Sequence, residues 1–170
     1  MEFEKTLYSR HATRSYSSKE VSTQALQNIL AAGEDAPAGM GEYEKFHFTT
    51  ITSQSVIQKI EAKTDGHPYY GAAAVIIISA KQGNGGIGTT EAIATGAMVE
   101  NMALAATDQA LSTCVILGAL VPLVSDSELL KEIGVPTDFV PCISLAVGYG
   151  KQVANKPEKG RHSVEQNFLK

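Results

Sequence analysis

A chain of 170 residues with 44% hydrophobic and 19% charged residues is long enough to form one domain around one core, burying about two-thirds of its unfolded surface. That balance excludes a disordered or fibrous chain, and with 6% aromatics and no Trp the core is expected to be aliphatic. A formal net charge of −4 argues against non-specific nucleic-acid binding, which needs a basic face to neutralise phosphates.

The non-polar runs, such as Gly71 to Ile78, fall far short of the ~20 residues that span a bilayer, so no membrane partner is expected. Met1-Glu2-Phe3-Glu4-Lys5 lacks the basic-then-apolar pattern of a secretory signal, which points to the cytoplasm. Cys114 and Cys142 sit in apolar runs without CxxC spacing and are expected to be small buried hydrophobes. His11, His47, His67 and His162 are scattered, and no metal site is expected.

In chain order, Phe3 and Leu7 at helical spacing predict a short helix leading into Ser9-Arg10-His11-Ala12-Thr13-Arg14-Ser15-Tyr16. Arg10 and Arg14, four residues apart, offer planar forks of donors that can both reach one phosphate. A second basic group, Lys151, Lys156, Lys159 and Arg161, closes the chain, so two basic ends of an acidic protein could meet at one small anion.

Ser22 is placed to cap a helix, with Val21 and Leu26 as a hydrophobic staple, Leu26, Ile29 and Leu30 as its buried face, and Gly33 as its left-handed end. Ala36-Pro37-Ala38-Gly39-Met40-Gly41 cannot continue it and forms a loop whose backbone N–H groups could face a ligand. Phe46 to Ile51 alternates as a strand, placing His47 on one face with Thr49 and Ile51 in a structural role. Ser53 is expected to cap a helix through Val56, Ile57 and Ile60, and Pro68-Tyr69-Tyr70-Gly71 to turn the chain into a doubly buried strand from Ala73 to Ser79.

Gly83-Asn84-Gly85-Gly86-Ile87-Gly88 fits GxGxxG between a predicted strand and helix, although no acidic residue ends the next strand to hold a ribose. Glu91 to about Leu111 reads as a buried helix whose many small residues suit a tightly packed central helix or a dimer interface. A strand from Thr113 to Leu117 ends at Gly118-Ala119, and Ser125-Asp126-Ser127-Glu128 looks like a capping box for a helix that Gly134 ends. Pro141 to Gly148 is the last strand, and the polar tail beyond Tyr149 is expected to fold only against something else. The alternation of helices and strands, with no internal repeat, indicates an α/β or α+β sandwich rather than a bundle.

The arginine octet, the Ala-Pro-Ala-Gly loop, Phe-His-Phe opening the next strand, Asn101-Met102-Ala103-Leu104-Ala105-Ala106, Cys114 to Gly118, Val147-Gly148-Tyr149 and Lys159-Gly160-Arg161 together resemble the FMN-dependent nitroreductase family. The resemblance covers nearly the whole chain. It implies an α+β fold, a sandwich with a central mixed sheet flanked by helices, and a homodimer with FMN at the interface, passing electrons from NAD(P)H to nitroaromatic, quinone or similar acceptors by a ping-pong mechanism. It also implies roles for residues. Arg10, Arg14, Lys159 and Arg161 would hold the phosphate and ribityl chain, and His11 and Ala12 would lie beside the flavin. Pro37, Ala38, Gly39 and Gly41 would reach the flavin of the partner subunit, Leu117 and Gly118 would present backbone to the ring, and residues 151–170 would pack on the partner.

The family often carries Ser where this chain has Ala12, and polar side chains at Ala38, Gly39 and Gly41, so backbone N–H groups would take over. Larger members insert helices where Gly83 to Gly88 stands, which implies a more open acceptor site here. The flavin carries the hydride chemistry, so no catalytic side-chain nucleophile is expected. Two alternatives stand beside this reading: a flavin-binding protein without reductase turnover, and a nicotinamide-binding Rossmann domain centred on Gly83 to Gly88.

Overall fold

The computed structural model describes residues 2–83, 85–151 and 163–169. Four strands, β1 (Phe46–Ile51), β2 (Ala74–Lys81), β3 (Ser112–Ile116) and β4 (Phe139–Gly148), form one sheet in the order β1-β2-β4-β3. The α-helices are α1 (Phe3–Ser9), α2 (Thr23–Glu34), α3 (Gln54–Glu61), α4 (Thr89–Asp108), α5 (Leu120–Leu123) and α6 (Ser127–Glu132), with 3-10 turns at Gly39–Gly41 and Tyr43–Lys45. The named strands pair antiparallel, and parallel pairing enters through a bridge from Ala12 to Thr113. The four-stranded sheet is therefore antiparallel and flanked by helices, an α+β fold as expected, and in place of the expected mixed sheet the parallel pairing is limited to that isolated bridge.

β2 lacks alternation because both faces are covered. Val75 and Ile77 join Ile51, Cys114, Ile116 and Ala146 in a layer with Ile57 and Ile60 of α3, Leu120 and Leu123 of α5, Leu129 of α6, Tyr16 and Tyr69. Ile76 and Ile78 join Leu145 and Val147 against Leu26 and Ile29 of α2 and Met98 and Met102 of α4. The core is aliphatic, as the composition demands.

Several sequence signals act as expected. Ser22 Oγ accepts the Ala25 N–H at 3.2 Å, the turn before β2 uses positive φ at Tyr70 and Gly71, and Gly134 follows α6 with φ 80°. Others do different work. Gly33 does not end α2, which runs on to Glu34; it is the point where α2 and α4 touch, since a Cβ there would lie 2.2 Å from Met102 Cε. Ser53 stands at the N-cap of α3, yet its hydroxyl bonds Ser55 Oγ at 2.9 Å instead of capping. Asp126 alone caps α6, accepting the Leu129 N–H at 2.9 Å, in place of the expected Ser125–Glu128 box. Cys142 is half-buried rather than buried, whereas Cys114 lies in the core.

The topology removes the Rossmann alternative. β2 and β3 are both antiparallel to β4, which lies between them, so the connection through α4 does not join the adjacent parallel strands that such a fold requires. The loop between β2 and α4 is closed on itself: Gly83 and Gly86 exchange backbone hydrogen bonds, each at 3.1 Å. Among the described residues, no helix is long and apolar enough to cross a membrane.

Candidate functional site

β3 is an edge strand, and the arginine octet is laid along it. The Thr13 N–H donates to the Thr113 carbonyl at 2.8 Å beside the Ala12–Thr113 bridge. On the far side, Tyr16 bridges Gly150, the Ser17 N–H reaches the Tyr149 carbonyl at 2.8 Å, and the Lys151 N–H reaches the Ser15 carbonyl at 3.0 Å. The octet is thus an extended segment with few free torsions, which fixes the origin of each side chain it carries.

Tyr16 is its anchor. The ring is buried and packs on Gly148, where a Cβ would meet Tyr16 Cδ1 at 2.9 Å and the Ala73 backbone nitrogen at 3.2 Å. Burial, with the neighbouring Cys114 and Tyr70, drives the Tyr16 phenol far above its ordinary range, so it stays protonated and is not a proton-transfer group at neutral pH. Burial likewise pushes the Cys114 thiol up, opposed by the charge of Arg14, which leaves it an inert thiol rather than a nucleophile.

His11 is held at both nitrogens: Nδ1 lies 2.8 Å from the Ser9 carbonyl and Nε2 3.1 Å from Thr13 Oγ1. A carbonyl can only accept, so Nδ1 donates, and in the neutral ring Nε2 accepts from the Thr13 hydroxyl. Arg10, the residue that follows α1, turns onto α4, its Nε 3.1 Å from Glu100 Oε1. Arg14 is exposed, close to Cys114 on β3. The two guanidiniums therefore leave a fixed segment toward two elements, α4 and β3. Beside them, β3 and the chain after it leave apolar side chains uncovered: Val115 is 41% exposed and Leu117 59%. Gly118 is exposed with open space where a Cβ would be.

The loop predicted to contact a ligand lies elsewhere. Gly39 touches the start of α4, where a Cβ would meet Thr90 Cγ2 at 2.1 Å, and Met40 and Gly41 take positive φ of 58° and 70°. Tyr43 Oη donates to the Ala36 carbonyl at 3.2 Å, and Lys45 ties the loop down through Glu42 at 2.5 Å and Glu91 at 3.3 Å. Pro37 is exposed and Ala38 half-buried. From Thr90 to Glu100, the helix residues that these two groups touch, α4 rises about 15 Å. Within one chain, then, Ala12 and Thr13 are fixed at β3, His11 is held by Ser9 and Thr13, Arg10 reaches Glu100 on α4, Arg14 lies near Cys114, and Leu117 and Gly118 follow the end of β3, while Pro37, Ala38, Gly39 and Gly41 stand at or just before the start of α4. Lys159 and Arg161 lie outside the described residues.

Sequence reading missed Glu100 as the partner of Arg10 and Thr13 as the clamp on both the strand and the imidazole. The signal for Glu100 was a carboxylate between Val99 and Asn101 in the middle of α4, whose other carboxylates, Glu91 and Asp108, stand in its first and last turns. Helical spacing alone cannot say which loop residue it meets.

The profile of the nitroreductase family matches residues 62–149, which is 88 of the 170 residues. The chain belongs to the nitroreductase family. A family nitroreductase from Bacteroides fragilis, solved with bound FMN, is 26% identical and superposes with a TM-score of 0.85, with 100% of both chains covered. A nitroreductase from Desulfitobacterium hafniense, also solved with bound FMN, is 18% identical over 98% of this chain and 99% of its own, with a TM-score of 0.81, a likeness of fold. A relative from Archaeoglobus fulgidus, which bears the provisional name NADH dehydrogenase/NAD(P)H nitroreductase, is 31% identical over 77 residues. That match spans 45% of this chain and 44% of the relative, so this nitroreductase-family chain aligns with under half of that protein.

Proposed function

We propose that this protein is an FMN-dependent oxidoreductase that takes electrons from NAD(P)H and passes them to a nitroaromatic, quinone or similar acceptor by a ping-pong mechanism. The observation that carries the reading is the arginine octet pinned along the β3 edge beside uncovered apolar side chains. Two guanidiniums suit a phosphate monoester, and Val115 and Leu117 suit the face or edge of a planar ring, so the donor set fits an anionic aromatic cofactor. FMN, when bound, supplies the hydride chemistry.

The residues of the chain then bind, orient and exclude water. Arg10 and Arg14 hold the phosphate and ribityl chain, joined by Lys159 and Arg161. His11, fixed at both nitrogens, and the backbone of Ala12 border the ring, and the backbone of Leu117 and Gly118 faces its reactive edge. No side chain of the octet is required as a nucleophile, in keeping with the protonated state of Tyr16 and Cys114.

A homodimer completes the site. The Pro37–Gly41 loop stands about 15 Å along α4 from the arginine contact of its own chain, a placement suited to serving the partner's flavin. Ile93 on α4 and Val121 on α5 are 69% and 75% exposed, and Val164, Phe168 and Leu169 of the tail are uncovered as well. Packing of the tail on the partner would cover these side chains.

Rapid anaerobic mixing of the FMN-loaded protein with NADH or NADPH tests the activity. Loss of the oxidised flavin absorbance, and its return when a quinone is added, is the expected result. A flavin that stays oxidised with both donors would leave a flavin-binding protein without turnover, a reading that the absence of side-chain donors at Ala12, Gly39 and Gly41 would then favour.

A further inference from the structure

Among the described residues, Arg10 is the guanidinium of the octet with an ion-pair partner, the Glu100 carboxylate. Its Nε lies 3.1 Å from Glu100 Oε1, with 31% of the arginine side chain and 47% of the glutamate side chain exposed. Half-exposed pairs of this kind hold weakly and exchange readily. The pair nevertheless brings a carboxylate to the guanidinium assigned to the flavin phosphate. From this geometry we infer that Glu100 is an affinity-setting residue, which competes with the phosphate of the cofactor for Arg10 and holds FMN binding below what the arginines alone would give.

The inference rests on the flavin reading above. Two features make Glu100 a competitor rather than a support. Its backbone sits in the middle of α4, between Val99 and Asn101, on a helix packed against α2 and the sheet, so its carboxylate stays within reach of Arg10 even when the pair opens. It also engages Nε, one of the five donors of the fork, and a carboxylate this close to the guanidinium repels a dianion that binds the same fork. The effect acts on the phosphate alone. Riboflavin, which has the same ring and ribityl chain without the phosphate, should not sense it.

The test compares FMN with riboflavin by titrating the flavin-stripped protein and following the quenching of flavin fluorescence, for the natural chain, Glu100→Gln and Glu100→Ala. Gln keeps the shape and an acceptor oxygen while removing the charge; Ala removes both. The expected result is FMN binding tightened about three- to tenfold in both variants, the worth of relieving one screened like charge, with riboflavin affinity unchanged. FMN affinity unchanged or weakened in the Gln variant, or an equal gain for riboflavin, would overturn the inference and leave the flavin reading standing. Failure of the natural chain to bind either flavin would overturn both.

Discussion

Replacing Arg10 by Ala is expected to weaken FMN binding about 10- to 150-fold, the loss of a hydrogen bond to a charged group, while the melting temperature moves little. The two halves of that expectation come from different facts. Arg10 projects from a segment whose backbone is sewn to β3 through Thr13 and to the Gly148–Lys151 stretch through Tyr16 and Ser17. Its position therefore survives loss of the side chain. The ion pair with Glu100 is half-exposed, and such pairs contribute about 0 to 1 kcal/mol to stability. Arg14→Ala should weaken FMN over a similar range, again with little loss of stability, because its side chain is exposed. Isothermal titration with FMN and a thermal melt read both effects in one preparation. Unchanged FMN affinity in both variants would remove the phosphate role of the octet.

Ile77→Ala and Thr49→Val should move stability in opposite directions although the two residues face each other across β1 and β2. Ile77 is fully buried in the central strand, in the layer with Ile51, Ile57, Ile60, Tyr69 and Ala146. Truncation leaves a cavity between strand and helices and costs about 2 to 5 kcal/mol, which lowers the melting temperature by about 4 to 20 °C for a chain of this length. Thr49 Oγ1, by contrast, is buried with no hydrogen-bond partner among the described residues. Valine has the same shape without the hydroxyl, so Thr49→Val should stabilise by about 1 kcal/mol. A melt of each variant decides it; a destabilised Thr49→Val would mean that the hydroxyl is satisfied in solution.

The strands and long helices were legible because they depend on local pattern: the alternation of Phe46 to Ile51, the unbroken apolar run of β2 and the extent of α4. What the pattern could not carry was the use made of particular residues. Gly33 has the composition of a helix end, yet its missing Cβ serves the approach of Met102, a contact 69 positions away. Asp126 rather than Ser125 became the cap, because two adjacent polar residues compete and the backbone entering α6 selects one. GxGxxG suggested a dinucleotide loop, and only the strand order decides that β2 and β3 are not neighbours. At the site, the octet was visible as a cluster of cations, whereas its fixing by Thr13 and its contact with Glu100 are long-range events that no spacing encodes. The separation of the Pro37–Gly41 loop from the arginines is likewise a property of the folded chain.

The central claim is that this nitroreductase-family chain binds FMN at a site completed by a second copy of itself. The most direct measurement is the visible absorption spectrum of the purified protein after incubation with FMN and gel filtration. The account predicts oxidised flavin absorbance that co-elutes with protein at the volume of a dimer, close to one FMN per chain. Colourless protein, or flavin retained by a monomer, would contradict it.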